Sequence, residues 1–177
     1  LFPATYNYGK DTTVKEMIDQ MLAAMDQNLT PYYETLESKN INVNEVLTLA
    51  SLVEKEGATD QDRKDIASVF YNRLNQDMPL QSNIAILYAE GKLGQKTTLK
   101  EDATINTELD SPYNIYKNTG LMPGPVDNPG VSAIEAAVNP SKTDYLYFVA
   151  NVENGEVFFA KTYDCLLYTS PSPRDRT

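Results

Sequence analysis

Two carboxylates two residues apart close the segment Leu47-Thr48-Leu49-Ala50-Ser51-Leu52-Val53-Glu54-Lys55-Glu56-Gly57. Read as a helix at about 100° per residue, Val46, Leu52 and Val53 fall within about 60° of Leu49 and make one buried stripe. Glu56 lands within about 20° of the Leu49 line and continues that stripe, while Glu54 lies about 140° away. A carboxyl group at the end of a buried stripe is costly to ionise. Partial desolvation would raise its pKa, which suits a general acid at neutral pH. The plainer reading is that the helix frays at Gly57, a C′-type residue, and leaves Glu56 in water. Periodicity alone separates Glu56 from Glu54 but leaves both readings of Glu56 open.

The rest of the composition narrows the chemistry. The 177 residues contain no His, so Ser-His and Cys-His catalysis and the commonest metal ligand are absent together. The lone Cys165 makes neither a disulfide nor a zinc cluster. Acid–base work must therefore come from carboxylates, Lys or Tyr, and neither metal nor cofactor is expected. A net charge of −10 argues against nucleic acid or an anionic membrane surface as the main partner. No apolar run is long enough to span a membrane. The start, Leu1-Phe2-Pro3, has no initiator Met and reads as the edge of a fragment.

The elements that must carry these residues can be placed by caps and periods. Thr13-x-x-Glu16 is a capping box, and Val14, Met17, Ile18, Met21, Leu22 and Met25 follow at helical spacing, predicting a helix from about Thr13 to Leu29. Pro31 suits the first turn of a short second helix through about Ser38, and Asn44 can cap the helix carrying Glu56. Thr59-x-x-Asp62 opens a further helix with Ile66, Val69, Phe70 and Leu74 on its apolar face and Arg63, Lys64 and Arg73 on its polar one. Met78–Asn83 is a break. A short helix runs from Ile84 to about Glu90 and stops at Gly91, and Thr98–Asp102 opens another turn or two.

From Ser111 to Gly130 the chain is rich in turn formers and has no period, which predicts a long, ordered, functional loop. Ala133–Val138 is a short helix behind Ser132. Tyr145–Ala150 and Glu156–Ala160 have strand composition, with Asn154-Gly155 as the hairpin turn between them. Helices followed by a hairpin predict an α+β fold in one domain over residues 1–164. Residues 165–177 show neither period. They resemble an in-frame translation of a sequencing adapter and are expected to be a disordered artefact.

In order along the chain, Leu1-Phe2-Pro3-Ala4-Thr5-Tyr6, Ala50-Ser51-Leu52-Val53-Glu54-Lys55-Glu56, Ala67-Ser68-Val69-Phe70-Tyr71-Asn72-Arg73-Leu74, Leu80-Gln81-Ser82, Tyr113-Asn114-Ile115-Tyr116, Gly120-Leu121-Met122-Pro123-Gly124-Pro125 with Asn128-Pro129-Gly130, and Tyr145-Leu146-Tyr147-Phe148-Val149 resemble the YceG-like family of endolytic murein transglycosylases. The resemblance covers nearly all of residues 1–164. It implies cleavage of the β-1,4 bond between N-acetylmuramic acid and N-acetylglucosamine in nascent peptidoglycan, with the muramoyl 6-hydroxyl as nucleophile and a 1,6-anhydro end as product. It puts the single catalytic acid/base on Glu56, the residue chosen by periodicity. It also suggests Gln81, Ser82, Asn114 and Tyr116 as groups that hydrogen-bond the sugar, and the Gly120–Gly130 loop as a wall of the cleft. Glu54 is expected to be solvated or paired with Arg73.

The resemblance further implies peptidoglycan glycan strands as partner, cell-wall synthases as possible associates, and a catalytic domain outside the cytoplasmic membrane. The single-pass anchor and a LysM-like module would lie upstream of Leu1. Asn83 stands where the family usually has Asp, and a Glu-His pair and terminal helix expected after Asp164 are replaced. An alternative from another class is a non-catalytic glycan-binding or scaffold protein of cell-wall synthesis. A pyridoxal-phosphate lyase is disfavoured, because Lys55 lies off the apolar stripe and no Gly-rich phosphate loop precedes a helix.

Overall fold

The computed structural model describes residues 1–94, 105–150 and 155–169. Helix α1 spans Val14–Leu29, a 3-10 turn Thr30–Tyr32 leads into α2, Tyr33–Lys39, and α3 spans Val43–Glu56. Then come α4, Asp60–Leu74, α5, Asn83–Ala89, and α6, Val131–Val138. Strands β1, Tyr147–Ala150, and β2, Val157–Ala160, precede α7, Tyr163–Thr169. The strands pair antiparallel with Phe148 opposite Phe159 and Ala150 opposite Val157. Helices followed by one hairpin make the fold α+β, as the patterning predicts.

Among the described residues, three helices start on reciprocal caps. Thr13 with Glu16, Asn42 with Glu45 and Thr59 with Asp62 each exchange side-chain and backbone hydrogen bonds across the first turn, satisfying N–H groups that have no partner within the helix. The cap of α3 is Asn42, not Asn44, because only Asn42 has an acid three residues on. Asn44 points its amide at the Pro123 carbonyl instead, 3.3 Å away.

Helix α3 is the centre of the molecule. Val46, Thr48, Leu49, Ala50, Ser51, Leu52 and Val53 are all buried, so it is enclosed on nearly every side rather than along one stripe. It packs against α6 and α4, whose Ala133, Ile134, Ala136, Ala137, Ile66, Ala67 and Phe70 complete the core. The hairpin joins this core through Phe148, which meets Phe70 edge-on with centroids 5.8 Å apart. At the other end, Val14, Ile18 and Leu22 on α1 stay exposed, Met17 and Met21 are half-buried, and only Met25 and Leu29 are buried, so the apolar stripe of α1 is fully buried at its C-terminal end alone.

Two sequence expectations change here. Arg73 does not face solvent. It is 6% exposed, and the reason is that loop carbonyls surround it where water would otherwise be. Residues after Asp164 are not irregular from the start, since Tyr163–Thr169 is helical and Leu166 is buried. Cys165 begins within that helix, and its backbone N–H bonds the Thr162 hydroxyl at 3.2 Å. Residues 170–177, the turn expected at Thr98–Asp102 and Asn154 of the hairpin turn lie outside the described residues. Gly155 has φ +74, the left-handed conformation that the second position of an Asn-Gly turn requires.

Candidate active site

The C-terminal end of α3 opens into a cleft of about 520 Å³. Lys55 and Glu56 come from α3, Arg73 from α4, Gln81 from the break, Asn83 and Ile84 from α5, and Phe148 and Val149 from β1. Glu56 is only partly exposed, and burial pushes its carboxyl above the ordinary carboxylate range. One interaction opposes that shift. Ser82 donates from its hydroxyl to Glu56 Oε1 at 2.7 Å, favouring the charged form. The result is a carboxyl group facing a cleft and predisposed to hold its proton, as periodicity placed it.

Glu54, two residues earlier, is engaged elsewhere. Its Oε2 accepts the Gly130 N–H at 2.9 Å and its Oε1 faces Arg63 Nη2 at 3.5 Å. Gly130 is the N-cap of α6, so the Glu54 carboxylate sits at a helix N-terminus, where negative charge is favoured. Its cation is Arg63, not Arg73. Gly57 makes room for that arrangement. A Cβ there would lie 2.6 Å from Arg63 Cγ. Its backbone, at φ −100, is extended, so close approach and not a left-handed turn explains the glycine.

Arg73 organises the far wall. Its Nε donates to the Leu146 carbonyl at 2.6 Å, and its Nη1 reaches the carbonyls of Pro79 and Leu80 and the Oε1 of Gln81 at 2.9, 3.2 and 3.1 Å. The guanidinium also lies 5.0 Å from the centroid of the Tyr147 ring. One side chain thus ties α4 to the hairpin and to the segment leading into α5. Gln81 has φ +57, an uncommon conformation for a non-glycine residue. Its N–H bonds the Ile115 carbonyl at 3.0 Å, which holds the turn that aims Ser82 at Glu56.

The four polar candidates fare differently. Gln81 lines the cleft and remains exposed, although Arg73 holds its carbonyl oxygen. Ser82 is 3% exposed and is committed to Glu56 and to capping Ile84 N at 3.2 Å. Tyr116 donates its phenol to Asn83 Oδ1. Burial, and then the nearby charge of Glu56, raise its pKa, with Arg73 opposing. Asn114 lies inside the loop. It is fully buried, its Nδ2 donates to the carbonyls of Thr107 and Leu109 at 2.9 and 2.8 Å, and its Oδ1 accepts the Tyr116 N–H at 3.1 Å. It closes the loop and presents nothing to a ligand. An Asn in a turn-rich segment signals such closure as readily as binding.

The Gly120–Gly130 loop lies against α3. Among the described residues, the cleft is lined from α3, α4, α5, β1 and the segments beside them. The loop instead grips α3, through Val126 N on Ser51 Oγ at 3.0 Å, Gly130 N on Glu54, and an Asp127 carboxylate 2.9 Å from Lys55. Asn83 and Lys55 were not among the candidate ligands. Asn83 follows Ser82 directly, and Lys55 flanks Glu56, so adjacency to the acid was their signal. Among the described residues no group of three or more His, Cys, Asp or Glu side chains could hold a metal ion.

Comparison with known proteins bears on the fold and family. The model of the YceG-like family matches residues 1–167. The chain belongs to the YceG-like family. An endolytic murein transglycosylase of Streptococcus pneumoniae serotype 2 (strain D39 / NCTC 7466) is 65% identical over 164 residues, 93% of this chain and 30% of the relative. One of Bacillus subtilis (strain 168) is 47% identical over 163 residues, 92% of this chain and 44% of that protein. A crystal structure of a yceG-like protein from Listeria monocytogenes superposes with TM-score 0.85 at 47% identity, over 96% of this chain and 54% of that one. This YceG-like chain therefore spans less than half the length of the curated relatives it matches. Among the described residues no helix is long and apolar enough to cross a membrane.

Proposed function

We propose that this YceG-like domain is the catalytic part of an endolytic lytic transglycosylase that cleaves the MurNAc-GlcNAc β-1,4 bond of nascent peptidoglycan. The observation that carries the reading is Glu56. Among the described residues lining the cleft it is the one carboxylate, and burial favours its protonated form. Hydrolytic glycosidases commonly need two opposed carboxylates, one of them to activate water or form a glycosyl ester. A single carboxyl suits a reaction whose nucleophile belongs to the substrate.

In that reaction Glu56 gives its proton to the glycosidic oxygen as the bond from the muramoyl C1 to that oxygen breaks. The resulting carboxylate then takes the proton of the muramoyl 6-hydroxyl as O6 bonds to C1. The products are a 1,6-anhydroMurNAc end and a free GlcNAc 4-hydroxyl, no water is consumed, and Glu56 returns to its starting state. Raising the pKa by burial serves the first step, and the Ser82 hydrogen bond keeps the carboxylate accessible for the second. Gln81 and the Tyr116–Asn83 pair are the polar groups that would orient the sugar. The strong relatives named as murein transglycosylases support the same substrate class. In a cell the domain would act on the outer side of the cytoplasmic membrane, beside the synthases that make its strands.

The test is product analysis. Purified glycan strands digested by the parent protein should yield 1,6-anhydro-muropeptides. Glu56→Gln should lower that yield by about 10²–10⁴-fold while preserving the melting temperature at acid pH. Undiminished anhydro product from Glu56→Gln would sink the assignment of the acid, and reducing-end products from the parent would mean hydrolysis instead.

A further inference from the structure

A chain with net charge −10 repels anions at long range, so an anionic ligand needs a local cation in its cleft. Among the described residues, Lys55 and Arg73 line the cleft with Glu56, and Arg63 lies earlier on α4. Arg63 is held by Glu54, Asp60 and Ser132, with contacts of 3.4 to 3.5 Å. Arg73 donates to three backbone carbonyls and Gln81. Lys55 differs from both. It lines the cleft beside Glu56, its side chain is 38% exposed, and its ion-pair partner is Asp127 at 2.9 Å, itself 27% exposed. Exposed pairs of this kind contribute little net stability, so a ligand carboxylate can replace Asp127 at small cost. An ammonium carries three donors, and Lys55 and Glu56 line the same cleft, so such a contact would fall within the cleft that holds the candidate acid.

We propose that Lys55 binds a carboxylate of the glycan strand in the cleft, and that Asp127 is the built-in competitor that sets how tightly. This rests on the glycan-strand reading above. The ligand chemistry is a carboxylate, supplied by either the free lactyl group of a strand without stem peptides or the peptide stem itself. The Gly120–Gly130 loop meets one cleft-lining residue through the Lys55–Asp127 pair, so occupation by substrate also loosens one of the loop's attachments to α3.

The test is equilibrium binding in a Glu56→Gln background, which prevents turnover. The probes are glycan strands bearing stem peptides, strands stripped of stems so that the lactyl carboxylate is free, and neutral N-acetylglucosamine oligomers. Lys55→Met should weaken at least one of the two charged probes by about tenfold and leave the neutral oligomers unchanged, and the probe affected identifies the source of the carboxylate. Lys55→Arg should retain most of the affinity. Asp127→Asn should strengthen binding of the same charged probe by about threefold, whereas a merely structural ion pair would weaken all probes when either partner is removed. Unchanged binding of both charged probes by Lys55→Met, or weakened binding by Asp127→Asn, overturns the proposal. Failure of the Glu56→Gln background itself to hold any of the three ligands would overturn the glycan reading instead.

Discussion

The Ser82 hydroxyl that donates to Glu56 Oε1 at 2.7 Å also accepts the Ile84 N–H at 3.2 Å. One side chain therefore caps α5 and contacts the candidate acid. The position of α5 and the acidity of Glu56 are coupled through that oxygen. Removing the hydroxyl should affect both, in ways that separate experimentally.

Ser82→Ala removes the interaction that favours ionised Glu56, so the carboxyl should hold its proton to higher pH. If the acid must be protonated to start the reaction, the alkaline limb of the kcat/KM profile should move upward in pH. The loss of the cap should lower stability by about 1 kcal/mol. A pH–rate profile and a urea titration read the two effects. A limb that stays in place or moves down would contradict the role given to Ser82.

Glu56 should also destabilise the folded protein at neutral pH. Its folded-state pKa is raised above the ordinary value of 4.5, so the folded protein holds a proton that the unfolded chain has released. The sign follows directly. Below pH 4.5 both states are protonated and the site costs nothing. As pH rises towards the raised value stability is lost, and above it the loss is complete. Glu56→Gln should therefore melt higher than the parent at pH 7, with the gap closing as pH falls below the unfolded value. Calorimetry across that range checks it, and a gap independent of pH would point to packing instead.

Arg73→Ala should be among the most damaging substitutions. It leaves the carbonyls of Leu146, Pro79 and Leu80 and the Gln81 side chain without their donor. At roughly 1 kcal/mol for each of the buried and part-buried carbonyls, the loss should be about 3 kcal/mol. Arg73→Lys should recover little, because an ammonium cannot span acceptors arranged around a planar fork. Denaturant unfolding gives the number. Activity should fall with it, since the same contacts hold β1 and Gln81 at the cleft.

Gly57→Ala should destabilise by about 1–3 kcal/mol. The new methyl would meet Arg63 Cγ at 2.6 Å and the Arg63 backbone at 3.1 Å, and backbone cannot swing aside as a side chain can. Shifting Arg63 would loosen its contact with Glu54, and hence the hold of α3 on the N-terminus of α6. Thermal denaturation compared with Gly130→Ala makes the measurement, because a Cβ at Gly130 meets only Glu54 Oε2 at 3.5 Å and should cost less.

Local patterns in the sequence were enough to determine the α+β class, the capped starts of α1 and α4, and the placing of Glu56, not Glu54, on the core-facing line of α3. These depend on residues within a turn or two of each other, and helical periodicity fixes their relative directions whatever the rest of the chain does. Tertiary structure alone decided how those directions were used. Asn44, which could have been taken for a cap, instead turned to the Pro123 carbonyl of a distant loop. Arg73 went inward because carbonyls brought together from Pro79, Leu80 and Leu146 offered it acceptors. Asn114 became a loop closure, and Ser82 the partner of an acid 26 residues away. A polar side chain is specified by the partners it meets, and when those partners come from distant parts of the chain, no local period can reveal them.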